Sequence, residues 1–433
     1  MNVKTIKSLC GMLAMLAFTA CSSNIDESTD APRFYNVTLT ASMEGGDTRA
    51  LSEGAENAII ASFAENDEVV VVKANGTSVG TLTAQTAGAS TTLSGPLNAA
   101  SLTVGEKVTL RYRSATANYD GQLGTLAGIA ANQDYAEGTL TVSTTSPSLT
   151  FESNSVTLTA KQSITKFTFS VNVKNFRIAA NGLVRTIAAN GTETVGDVTG
   201  ALGTASTDVY VALRNNTDVK QTYSFTIQDV DGNWYTGTKK ANLANGKNYA
   251  ASVTLTPMPT LTSGNNEGTI GVVGGLPAIV VDFSGTKKAV ALMNVGAIWP
   301  EDYGTYYIFS EKASGLVSES GWYVPTKAEF DVLITNTEDR TNDWATRNGV
   351  CGRLFTIKGN KLFLPAAGYI DNDSYDGDSN SLLLDVSTVG YYWSQTNYDE
   401  DEAYCYRFSS SSNNTYGEYK VNALTVRPFH ALN

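Results

Sequence analysis

The sequence predicts a mainly β chain: two β-sandwich domains in series, followed by a C-terminal α+β domain. Three observations carry this. Apolar residues alternate with polar ones at a period of two, as in Tyr35, Val37, Leu39, Ala41 and Met43, the pattern of a half-buried strand. Turns rich in Gly, Ser and Thr break such runs at short intervals, which favours short strands over long helices. Near the C-terminus Pro325 leads into a helix whose first turn is a capping box, with Thr326 as cap and Glu329 three residues on.

In chain order, residues 1–20 read as an export leader. Lys4 and Lys7 form its positive end and Leu9 to Phe18 its apolar stretch, too short to span a bilayer by itself. Leu16 and the run Phe18-Thr19-Ala20-Cys21 resemble the bacterial lipobox. That resemblance implies acylation at Cys21, an outer-membrane lipoprotein precursor, and a polar tether over residues 21–33 with Asp26, Glu27 and Asp30. A first sandwich is expected over residues 34–147. Its strands include the alternating run from Tyr35, an all-valine stretch from Val69 to Val72 with an Asn75-Gly76 hairpin signal, and Val108, Leu110 and Tyr112. A second is expected over 148–257, with Phe167, Phe169, Val171 and Val173 on one face, a core strand from Val209 to Leu213, and Tyr223, Phe225 and Ile227 before an Asp231-Gly232 turn. Residues 258–269 read as linker and 270–433 as the C-terminal domain.

In that last domain, GWYVPTKAEFDVL, LFLPAAGY, YYWSQT and LTVRPF, with the upstream VDFSGTKKAVALMNVGA and PEDYGTYYIFSE, follow in order. Together they resemble the secreted major-paralogous domain family, which implies a C-type-lectin-like fold with a loop-rich face. The fold does not imply sugar binding, because function lives in the site. Upstream, the lipobox, the first strand ending in GGDTRAL, the stretch YDGQLGTLAG…NQDY, KQSITKFTF, VYVAL and GKNYAASVTL resemble the fimbrillins of Bacteroidales over Tyr35 to Leu255. This resemblance implies cleavage after Arg49, leaving Ala50 as the new N-terminus, and loss of the strand Phe34 to Met43. A stalk or adaptor subunit would then fill the groove by β-strand addition. The sequence ends four residues after LTVRPF, so a strand to donate is not expected, and the chain is expected to be a fimbrial tip subunit with a lectin-like adhesive head.

The formal charge of −12 repels phosphate backbones and disfavours nucleic acid as a partner. With His430 as the single histidine, three residues from the C-terminus, multi-histidine metal sites are excluded and no convincing base for a Ser triad is offered. No P-loop or dinucleotide fingerprint is present, so no enzyme activity and no cofactor are expected. Asp371, Asp373, Asp376 and Asp378 crowd one stretch and form a weak calcium candidate, but their spacing does not match an EF-hand. A solvated acidic loop is the preferred reading there, and also for Asp399 to Glu402. Tyrosines abound nearby. Tyr404, Tyr406 and Phe408 are expected to share a buried face, and Trp322 and Trp393 to anchor the packing. Tyr375, Asp376, Asp378 and Tyr398, in the loops Ile370–Leu382 and Thr396–Ala403, are expected to meet a host or bacterial surface ligand, with glycan as one class. Beyond Cys10 in the leader and Cys21, Cys351 and Cys405 remain. Export permits a disulfide between them, and two separate thiols fit the sequence equally. The alternative function is a stand-alone surface glycan-binding lipoprotein, with Cys21 lipidated and Arg49 uncut.

Overall fold

The computed structural model describes residues 32–44, 62–217, 219–309, 321–372 and 382–433. The mainly β expectation for the chain holds among these residues, and the C-terminal domain, expected to be α+β, shows one helix among them beside many strands.

The first domain contains β1 (Phe34–Met43), β2 (Glu68–Lys73), β3 (Ser78–Ala84), β4 (Ser90–Asn98) and β5 (Lys107–Tyr112). The chain then makes a short strand, β6 (Ala117–Asn118), and a helix, α1 (Leu126–Asn132), before β7 (Ala136–Thr144), β8 (Thr150–Phe151) and β9 (Ser155–Ala160). The strand order is β5-β2-β3-β4-β1-β9-β7-β8, and β5 also pairs β7. Its layers are therefore hydrogen-bonded to each other and the sheet closes into a ring. Val37, Leu39, Ala41 and Met43 point into its core with Val69, Val71, Leu110 and Leu158. The Asn75-Gly76 signal does form the β2–β3 hairpin, with Gly76 at φ 87°. A Cβ on Gly76 would lie 2.6 Å from the Asn190 amide nitrogen of the next domain, so glycine is needed there twice over.

The second domain is built on two long strands, β10 (Ser163–Ala179) and, after β11 (Leu183–Ile187) and β12 (Glu193–Val195), β13 (Val198–Asn215). They pair with each other, and β-bulges between Thr168 and Asn175 bend β10. Its N-terminal half lies beside β16 (Asn248–Ser252) and its C-terminal half beside β14 (Gln221–Asp229). A bulge re-aims a strand, and here one strand serves both layers. β15 (Trp234–Ala241) and β17 (Leu255–Pro257) complete the sheet.

The expected boundary at residues 147 and 148 cuts across these units. β9, beyond it, pairs with β1 and β7 in the first sheet. Before it, Tyr119, Ile129 and Tyr135 belong to the second core, β6 pairs β11, and buried Gln122 exchanges hydrogen bonds of 2.7 and 2.8 Å with the Ala212 backbone. The chain thus visits the second domain between β5 and β7. Contiguous reading cannot see such an excursion.

The C-terminal domain begins with β18 (Ile270–Val273), β19 (Leu276–Phe283), β20 (Thr286–Ala291), β21 (Tyr307–Ile308) and β22 (Trp322–Tyr323). Next come α2 (Lys327–Ile334), β23 (Arg340–Arg347), β24 (Val350–Ile357), β25 (Asn360–Pro365), β26 (Tyr369–Asp371), β27 (Leu382–Leu384), β28 (Gly390–Asn397), β29 (Glu402–Phe408), β30 (Asn413–Tyr419), β31 (Ala423–Leu424) and β32 (Phe429–Ala431). A five-stranded sheet in the order β18-β19-β20-β32-β22 is flanked by smaller sheets β21-β31-β26-β27, β23-β24-β25 and β28-β29-β30. The capping box at α2 is present in full: Thr326 Oγ1 accepts from the Glu329 amide at 3.2 Å, and the Thr326 amide donates to Glu329 Oε2 at 2.6 Å. Trp322 and Trp393 are buried, each donating its indole N–H to a backbone carbonyl. The second and third domains meet across an ion cluster. Arg177 donates to both oxygens of Glu301 at 2.7 and 2.9 Å and to Asp197 at 2.7 Å.

Candidate functional site

Two regions bear on the expected partners, and the first is β1. It is an interior strand, antiparallel to β4 over nine residue pairs and parallel to β9 from Thr40–Ser155 to Met43–Leu158. It carries no charged residue. Among the described residues its side chains make two exposed hydroxyl contacts, Thr38 to Ser94 at 3.3 Å and Ser42 to Thr157 at 3.2 Å, and the Ser90 hydroxyl donates to its Ala41 carbonyl at 3.1 Å. What holds β1 is a backbone ladder and four inward apolar side chains, and any strand with the same alternation supplies both. Without β1, the edges of β4 and β9 would face each other across two strand spacings, about 10 Å, over an uncovered core. Such paired open edges receive an incoming strand. Cys21, Arg49 and Ala50 lie outside the described residues.

The second region is one end of the C-terminal domain. The turn Lys420–Asn422, between β30 and β31, draws the two expected loops together. Asn372 donates from its backbone to Asn422 Oδ1 at 3.1 Å and from its side chain to the Val421 carbonyl at 3.0 Å. On the other side Lys420 Nζ donates to the carbonyls of Asp399 and Glu400 at 2.7 and 2.8 Å. Tyr398 packs edge-on to Tyr404 at 5.1 Å. It also lies against Gly417, where an added Cβ would come within 3.2 Å of the Tyr398 ring and 2.5 Å of Glu402 Oε2. Tyr398, Tyr416, Tyr419 and Val421 are each about half exposed. Burial raises the Glu418 carboxyl above its usual value, against the hydrogen bonds it accepts from the Asn422 side chain and the Tyr419 amide. Exposed aromatic faces beside carboxylates and amides suit a hydroxyl-rich or peptide ligand.

Among the predicted residues, Tyr398 sits on this face and Asp371 is half-buried at the end of β26. Asp373, Tyr375, Asp376 and Asp378, with them most of the calcium candidate, lie outside the described residues; among the described residues no cluster of three or more His, Cys, Asp or Glu forms a metal site. The reading of Tyr404 needs correction. Tyr406 and Phe408 are buried as expected, but Tyr404 is half-buried at the rim, with Lys327 Nζ 5.3 Å from its ring centre. Tyr404 shares the face of Tyr406 and Phe408 but lies beyond their core toward the start of β29, while Ala403 and Cys405 on the opposite face are buried in another core. The cysteine pairing held open above is not made. Cys351, half-buried with its sulfur 3.5 Å from Thr346 Oγ1, and Cys405, buried, are separate thiols on different sheets. Sequence reading missed Lys420, Asn422 and Gly417; the polar turn Lys420-Val421-Asn422 ahead of LTVRPF was the available signal.

Residues 355–429 match a family described as a domain of unknown function (DUF8237). No curated protein sequence matches the chain. Among solved structures, the chain is similar to a candidate cell adhesion protein from Bacteroides ovatus, at 14% identity over 52% of this chain and 97% of the other, with a TM-score of 0.30. It is similar also to a fimbrial assembly protein from Parabacteroides distasonis (11% identity, 57% and 95% covered, TM-score 0.25). A third is the tip fimbrial protein Mfa3 from Porphyromonas gingivalis with a C-terminal truncation (12% identity, 47% and 81% covered, TM-score 0.24).

Proposed function

We propose that this chain is a non-enzymatic fimbrial adhesin of the tip type, exported as a lipoprotein acylated on Cys21. Cleavage after Arg49 frees β1, a strand from a stalk or adaptor subunit takes its place, and the C-terminal domain presents the face around Tyr398 to a surface ligand of the glycan class. The observation that carries this reading is β1 itself: an uncharged interior strand, paired on both sides, followed directly by the segment that holds Arg49. β32 behaves in the opposite way. That strand is paired on both sides within the head, with β20 and β22, and is committed there. The test is immunogold labelling of sheared fimbriae from producing cells. Label at fimbrial ends is the expected result, and a chain confined to the outer membrane of a fimbriate strain would sink the proposal.

A further inference from the structure

A cleft of about 420 Å³ lies where the second domain meets the head. That is the size of a small-molecule site, and domain junctions are where such sites concentrate. Its apolar wall comes from both domains: Trp234 and Met258 from one, and Met293, Trp299, Pro277 and Phe363 from the other. The two indoles pack edge to face at 5.9 Å, and Trp234 donates its N–H to the Gly275 carbonyl across the junction at 3.3 Å.

The charges around this wall are not balanced. Glu301 spends both oxygens on Arg177, and Asp197 is bound to the same guanidinium. Arg347 is left with a looser contact, its Nε 3.4 Å from Glu301 Oε1, and its side chain is one-third exposed. Lys361, at the exposed rim, donates to the Thr356 hydroxyl at 2.5 Å rather than to a carboxylate. Three cations, Arg177, Arg347 and Lys361, thus stand against two carboxylates, in a chain whose net charge is −12. A local cationic excess over an apolar wall selects a ligand that is apolar at one end and anionic at the other.

We propose that this cleft binds an amphipathic anion, a flat apolar body bearing one carboxylate or sulfonate, with the body against Trp234 and Trp299 and the acid group toward Arg347 and Lys361. The site is separate from both β1 and the face around Tyr398. Occupancy would also bridge the two domains and stiffen the mounting of the head.

The probe is 8-anilinonaphthalene-1-sulfonate, titrated into the full folded chain and read by energy transfer from tryptophan. All five tryptophans lie at or beyond position 234, so the first domain contributes no donor. Saturable one-to-one binding is expected, weakened at least tenfold in Arg347→Gln/Lys361→Glu and unchanged in the exposed, remote Lys240→Glu. The neutral isostere N-phenyl-1-naphthylamine should bind the unmodified chain at least tenfold more weakly, a comparison that stands even if the double variant folds poorly. No saturable binding, equal affinity for the neutral isostere, or full binding by a folded double variant would each overturn the proposal.

Discussion

β1 and β32 are both interior strands, yet they are held in opposite ways. β1 is ten residues long and relies on its ladder and on repeating apolar side chains. β32 is three residues long, and beside its ladder it is held by particular side-chain contacts. Just before it, Arg427 is fully buried and donates to Asn294 Oδ1 at 2.9 Å and to the carbonyls of Ala291 and Phe363 at 3.0 Å each. Burial pulls its pKa down to about 10, so it stays cationic at neutral pH. Phe429 then packs within 5.5 to 6.5 Å of Phe283, Phe330 and Tyr323. A strand held by generic forces can be exchanged, whereas one held by particular side chains cannot. On the proposed function, the first domain would exchange one strand while the C-terminal domain keeps its own.

The largest effect should come from removing β1. Burying each large apolar side chain is worth roughly 1.5–3 kcal/mol, so a chain beginning at Ala50 should lose about 5 kcal/mol or more from the first domain. Two calorimetric transitions are expected, with the head's unmoved. A synthetic peptide spanning Phe34 to Met43 should restore the first; failure of that rescue would break the contrast with β32. Next in size, Arg427→Met leaves three buried acceptors without a donor and should cost about 3–5 kcal/mol. The loss should fall on the head's transition alone, with peptide uptake by the first domain unaltered.

Glu329 sharpens the same point at smaller scale. Burial raises its carboxyl, but Lys288, the Tyr323 hydroxyl and Thr326 outweigh that, and the net shift is below the usual 4.5. A depressed carboxyl contributes stability that is present above the unfolded-state pKa and is lost as pH falls through the folded-state value. Glu329→Gln should therefore lower the head's melting transition at pH 7, by about 1–3 kcal/mol. The gap should close as melts are repeated below pH 4.5. The smallest structural effect is expected at Tyr398, which is 55% exposed. Tyr398→Ala should leave stability within about 0.5 kcal/mol and reduce retention on immobilised surface glycans.

Much of this was legible in the sequence because period-two alternation and turn chemistry are local signals. β1, the valine strand β2 with its hairpin, and the capping box of α2 all follow from residues within a few positions of one another. What escaped is non-local. Tyr119 and Gln122 read as part of the first domain, since nothing in their neighbourhood reveals that the chain crosses to the second core and returns. Tyr404 read as core because alternation puts it on the face of Tyr406 and Phe408, and alternation does not say where along a strand the core ends. The face around Tyr398 was half visible. Its loops could be named, but the turn that joins them, Lys420 to Asn422, acts through backbone carbonyls that any sequence possesses. The cation-rich cleft was invisible for a further reason, since Arg177 and Glu301 lie 124 positions apart.

The exchange of β1 is the central claim, and the N-terminus of the protein taken from its native cell surface tests it most directly. Mass spectrometry should find a chain that begins at Ala50, with Phe34 to Met43 gone. A chain that begins at acylated Cys21 and still carries β1 would contradict the account.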